Sequence, residues 1–213
     1  MAEVYYSGPE SVKKWISGNR RFINAGKDGE CKQTGGISTE KDLTIYASGH
    51  STMAVEKFIR ILKSSSISLV VDIRTIPHSR HNPQFDSESL EASLRAENIG
   101  YRNMKELGGL RKPVRDSKNN AWINDSFRGF ADYMQTEEYE KAIAELLDIS
   151  VRERVVLMCA EGNPFRCHRS LIADTLTARG VPVYHISGSG KTRLHTMTPF
   201  ARVNGKNVAY PAP

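Results

Sequence analysis

From residue 43 onward the chain alternates short apolar runs with stretches in which apolar residues recur at helical spacing. Residues 43–48 (LTIYAS) are apolar, β-branched and aromatic, which predicts a strand. Residues 53–63 carry Val55, Phe58, Ile59 and Leu62 behind the capping residues Ser51 and Thr52, which predicts a helix. Residues 68–73 (SLVVDI) are nearly all apolar, as a strand covered on both faces should be. A polar loop follows, then a helix near 87–97 and a strand near 100–104. The apolar spacing over 127–149 predicts one or two helices. Residues 154–159 (RVVLMC) form the strongest strand signal, followed by a helix over 170–179 that Gly180 ends. Residues 181–186 (VPVYHI) are the last clear strand. This order predicts an α/β, Rossmann-like three-layer domain with a mostly parallel sheet, spanning residues 42–213.

Residues 1–41 read differently. Val12, Trp15, Ile16, Phe22 and Ile23 suggest a short amphipathic helix, and the glycine-rich run that follows reads as linker. We expect an N-terminal arm ahead of the domain.

Composition narrows the class. A chain of 213 residues can bury a sizeable core without staples. No stretch approaches the roughly 18 apolar residues of a spanning helix, and the first residues lack the apolar segment of a signal peptide. The three cysteines, Cys31, Cys159 and Cys167, are too few and odd in number for a disulfide framework. These features predict a reduced, cytoplasmic protein with no membrane association. Lys plus Arg is 30 against 24 for Asp plus Glu, a net charge of +6, which mildly favours anionic partners. Oligomeric state stays open.

In an open α/β sheet, ligands bind beyond the carboxyl ends of the strands. The first strand runs into His50 and Ser51. The second ends at Asp72 and runs into Arg74, Ser79 and Arg80. The fourth runs into Glu161, Arg166, Cys167, His168 and Arg169. The motifs GHS, VDIRTIPHSRHNPQF, ELGGLRKP, SFRGFADYM and LMCAEGNPFRCHRSLIAD, with the closing HTMTPFARVNGKNVAYP, resemble the DUF488 family over residues 43–211. The family is named for its unknown function, so the resemblance implies the α/β fold and points to the motif residues, and supplies no reaction.

Three chemistries compete for these residues. In the first, an anion or nucleotide cleft, Ser51, Arg74, Ser79, Arg80, Arg166 and Arg169 bind substrate. Asp72 or Glu161 then acts as nucleophile or base, assisted by His50 or His168. N-glycosidic chemistry on a phosphate-bearing small molecule or nucleic acid fits that layout. The bland counterpart is that Asp72 pairs with Arg74 or Arg169 and Glu161 caps the following helix. In the second, Cys159 at a strand end is a nucleophile of phosphatase or sulfurtransferase type. Six residues rather than five separate it from Arg166, and Pro164 removes an amide donor. The third is metal binding by Cys159, Cys167 and His168. That spacing is not a usual zinc pattern, and adjacent Cys167 and His168 seldom point the same way, so no metal and no cofactor is expected. The leading expectation is an enzyme on a phosphate-bearing substrate; the rival is a non-catalytic module for nucleic acid or protein. Gly188-Ser189-Gly190-Lys191-Thr192 resembles a phosphate loop but lacks its first glycine, since His185 stands there. Arg111, Lys112, Arg115 and Lys118 make a basic loop that could touch a nucleic-acid backbone.

Overall fold

In the computed structural model, which describes residues 43–212, the alternating pattern becomes a six-stranded sheet covered on both faces. The strands are β1 (Ile45–Gly49), β2 (Leu69–Asp72), β3 (Gly100–Asn103), β4 (Val155–Cys159), β5 (Val183–Ile186) and β6 (Thr192–Leu194). The helices are α1 (Val55–Ser64), α2 (Ser87–Arg95), α3 (Asp125–Tyr133), α4 (Glu137–Arg152) and α5 (Arg169–Ala178). Spatial order is β3-β2-β4-β1-β5-β6. The first five strands are parallel and β6 is antiparallel to β5. This is a Rossmann-like three-layer α/β fold. The amphipathic helix and linker read in residues 1–41 lie outside the described residues.

Burial explains the apolar runs. Every residue of β1 and β4 is buried, because these central strands have covered faces and paired neighbours. Alternate strand residues enter two cores. Tyr46, Val70, Val156 and Met158 pack under α1 and α2 with Phe58, Leu62, Leu90 and Leu94. Ile45, Val71, Leu157 and Cys159 pack under α3, α4 and α5 with Phe130, Ile143, Leu146 and Leu171.

That division sets the site. The chain leaves β1 and β2 toward α1 and α2 on one face, and leaves β4 toward α5 on the other. Because β4 lies between β2 and β1, the connections diverge on both its sides and open a crevice at the carboxyl ends.

The segment after β5 adds short strands beyond the last one legible in the sequence. The glycine-rich stretch closes a tight turn, with Ser187 N–H donating to the Lys191 carbonyl at 2.9 Å and Gly190 at φ 81°. It leads into edge strand β6, consistent with the missing first glycine of a phosphate loop. A short hairpin, β7 (Arg202–Asn204) with β8 (Asn207–Ala209), then folds back and packs Val208 and Tyr210 into the α5 core. Among the described residues, no helix is long and apolar enough to cross a membrane.

Candidate functional site

Where β4 stops, Cys159 is left facing a cleft of about 340 Å³. Cys167 and His168, the two residues before α5, come back beside it: one ligand-type atom from each of the three lies within 4.8 Å of the others. The sequence expectation that Cys167 and His168 diverge does not hold. Cys167 is extended (φ −135°, ψ 137°) and His168 already helical (φ −57°, ψ −17°), so the strand-like alternation of side chains is broken between them. The Cys167 Sγ and His168 Nδ1 atoms are 3.9 Å apart.

The electrostatics of the pair are asymmetric. The hydrogen bond from the Cys167 thiol holds the Cys159 sulfur well below the ordinary thiol range, against the opposing effect of burial. His168 and the backbone N–H of Glu161 add to the lowering. The same bond, with burial, drives the Cys167 thiol up. Cys159 is therefore the thiolate and Cys167 its protonated donor. The three side chains are also a donor set that a soft cation accepts.

Two consecutive glycines make room for this arrangement, and sequence reasoning missed both. A Cβ on Gly109 would overlap the His168 ring, with Cγ at 2.6 Å. A Cβ on Gly108 would lie 2.8 Å from the Lys105 carbonyl oxygen and 3.0 Å from the Cα of Thr75. The only signal was the ELGG motif itself, read as part of a family pattern and not as a close approach. The His168 ring also packs edge-on against Phe130, with centroids 5.0 Å apart. Its Nε2 is buried without a hydrogen-bond partner among the described residues.

The other expected site residues are distributed unevenly. Arg74, Ser79, Glu161 and Arg166 line the cleft together with Cys159 and His168. Ser51 lies on a different hollow, with Thr52 and Lys57, and Arg80 is exposed outside both. Asp72 is fully buried behind Arg74 and does not line the cleft. It accepts from the Arg74 backbone N–H at 3.0 Å, from Arg74 Nε at 2.9 Å and Nη2 at 2.6 Å, and from the Tyr101 hydroxyl at 2.8 Å. That fills a carboxylate's capacity of about four acceptor sites. Asp72 and Glu161 therefore do not form a facing pair in one cleft.

Three further side chains are occupied in holding loops. The His50 pKa is lowered by burial, so the ring is neutral; Nδ1 donates to the Ser51 carbonyl at 2.9 Å. The ring stacks on Phe85 with centroids 4.0 Å apart, and Nε2 is 3.5 Å from Arg74 Nη1. Arg169, buried, donates to the carbonyls of Glu161 and Gly162 and so ties the β4 loop to α5. Glu161 Oε1 accepts from Asn163 N–H at 3.0 Å, a turn within the loop and not a cap on α5.

Four amides of that loop are spent within it. The amides of Asn163, Phe165, Arg166 and Cys167 all donate to acceptors inside the loop itself. Arg166 is exposed at the cleft rim and makes no ion pair among the described residues.

No curated protein and no solved structure matches the chain. The family model described as "Domain of unknown function DUF488" covers residues 54–176, from α1 into α5, including Cys159, Cys167 and His168. With more than half of its length matched, the chain belongs to that family.

Proposed function

We propose that the chain is an enzyme that works through a thiolate, with Cys159 as nucleophile toward a small anionic substrate carrying a sulfur electrophile. One observation carries the reading: Cys159, Cys167 and His168 converge within 4.8 Å at the edge of a cleft, at the carboxyl ends of the strands. The unpaired Arg166 at the rim suits an anion, and phosphate-bearing substrates fall within that class. Carboxylate chemistry has less support, because Asp72 is saturated by Arg74 and Tyr101. Phosphatase chemistry has less support too, because the amides of Asn163, Phe165, Arg166 and Cys167 are spent inside the loop.

The second thiol gives the chemistry its direction. The Cys159 thiolate attacks one sulfur of a substrate disulfide. That S–S bond breaks, and its electron pair leaves with the departing thiolate. Once Cys159 is a neutral mixed disulfide, it no longer holds the Cys167 proton. That proton can pass to His168, and the Cys167 sulfur then attacks Cys159. The second substrate thiolate leaves, and the cysteines end as an internal disulfide that an external dithiol reduces. The substrate is thus reduced by two electrons while the cysteine pair is oxidised by two.

The test is alkylation by iodoacetamide followed by mass spectrometry. At about pH 6, where an ordinary thiol near pKa 8.5 is protonated, Cys159 should be modified much faster than Cys167. With glutathione disulfide, Cys167→Ser should accumulate a mixed disulfide at Cys159. Equal slow modification of both cysteines would overturn the reading. So would purified protein holding stoichiometric zinc that shields all three residues.

A further inference from the structure

A second cavity, larger than the thiolate cleft, stands apart from it. It lies across the turn Pro164–Arg166, has a volume of about 430 Å³, and is walled mainly by the segment that follows β5. Packing defects in a folded core rarely exceed the size of a water molecule, whereas small-molecule pockets begin at about 300 Å³. At about 430 Å³ this hollow is within the size range of small-molecule pockets.

The walls say what kind. Trp122, Phe165, Leu194, Met197 and Phe200 supply rings and other apolar surface. Trp122 and Phe200 already meet edge to face, with centroids 4.9 Å apart, and a further ring extends that cluster without a polar cost. Phe165 and Leu194 remain 69% and 52% exposed, so apolar area at this cavity is left uncovered by the protein.

The charge is equally one-sided. Arg193 pairs with His185 in the antiparallel register of β6 on β5, so both side chains project from the same face of the sheet. His185 Nε2 is 2.9 Å from His195 Nδ1, and His195 Nε2 is 2.8 Å from Asp174 Oδ1. Asp174 is fully buried and also accepts from the Tyr210 hydroxyl and the Thr198 N–H. Asp174 is thus the carboxylate that faces the histidine pair, and burial pushes the His185 pKa down to about 4. Arg193 makes no ion pair among the described residues and is the one uncompensated cation on the cavity wall.

We propose that this cavity binds a planar aromatic anion, its ring among Trp122, Phe165 and Phe200 and its acidic group on Arg193. The inference is independent of the thiolate chemistry, which uses the opposite side of the Pro164–Arg166 turn. An aromatic carboxylate and a nucleoside monophosphate share the required features.

Calorimetric titration of the full chain separates these sources: indole-3-acetate and AMP are the anionic probes, indole and adenosine their neutral counterparts. At least one anionic probe should bind saturably and at least tenfold more tightly than its neutral counterpart. Arg193→Gln should weaken that binding at least tenfold. Thr196→Trp, a filling change at an exposed wall position, should weaken it as well. No saturable binding by either anion, or binding unmoved by either substitution, overturns the proposal. Binding that is unmoved but lost on alkylation of Cys159 would assign the ligand to the thiolate cleft instead.

Discussion

The β-carbon that Gly109 lacks would fall 2.6 Å from Cγ of His168, so the imidazole occupies space that only glycine leaves open. Nothing about the backbone of Gly109 demands glycine; the demand comes from the ring opposite. Gly109→Ala should therefore push His168 away from the cysteine pair. Cys159 would lose one of the partners that lower its pKa, though not the Cys167 thiol, which is the larger. We expect alkylation of Cys159 at about pH 6 to slow several-fold, with a stability cost of about 1–3 kcal/mol from overpacking. Thermal unfolding and the alkylation rate measured on one sample separate the two effects. An unchanged rate would mean that His168 does not tune the thiolate.

Arg74 and Asp72 form a buried ion pair with an Nη2–Oδ2 distance of 2.6 Å, and Arg74 also donates to the Phe85 carbonyl at 2.7 Å. Removing one partner strands the other charge in the core. Arg74→Ala should cost about 3–5 kcal/mol, and Asp72→Ala a similar amount. Chemical denaturation of the two single variants and the double variant would measure this. The double variant should be less destabilised than the sum of the singles, because it leaves no buried charge behind. Exact additivity would mean that the pair is not coupled.

The sequence carried the fold well and the site only in outline. The buried strands β2 and β4 announce themselves because both faces are covered, so SLVVDI and RVVLMC read as unbroken apolar runs. Strand β6 was illegible: it is an exposed three-residue edge that exists only because β5 offers it a partner. In the site, spacing located the right loops, since Cys159, Glu161, Arg166 and His168 do line one cleft. What spacing could not show was occupancy. Arg74, Arg169 and His50 have the chemistry of a binding site, yet their polar atoms are largely turned to a carboxylate, backbone carbonyls and each other. Nor could it show that Gly49 is a contact residue. A Cβ there would lie 2.6 Å from the Glu161 carbonyl carbon, and that follows from the register of β1 on β4.

The C-terminal hairpin is fastened to α5 by the Tyr210 hydroxyl, which donates to Asp174 Oδ2 at 2.8 Å. Both groups are fully buried, so no water can replace the phenol. Tyr210→Phe should cost about 1.5–3 kcal/mol, the range for a hydrogen bond to a buried charged group. The ring contacts with Trp122 and Phe200 survive this substitution, which isolates the hydroxyl. Hydrogen exchange should show the loss concentrated in residues 195–210, with the amides of β1 and β4 opening much as before. A uniform loss of protection would instead mean that the hairpin unfolds only with the whole domain.

His185 gives the protein an acid limb to its stability profile. Its folded pKa is pushed down to about 4, first by burial and then by His195, Arg169 and Arg193, while Asp174 acts in the opposite sense. In the unfolded chain the ordinary histidine value is about 6.5. Between these values the unfolded state holds more protons than the folded one, so stability rises with pH across this window and falls as pH is lowered through it. The contribution is fully present above about pH 6.5 and is lost progressively down to about pH 4, for a total of roughly 3 kcal/mol. Carboxylates also titrate near the lower end, so the comparison must be with His185→Gln, which keeps a polar side chain and cannot titrate in this window. Urea unfolding of both proteins at several pH values between about 7 and 4 should give a shallower slope for the variant. Parallel slopes would place the proton uptake on unfolding elsewhere, and His185 would then have to be protonated in the native state.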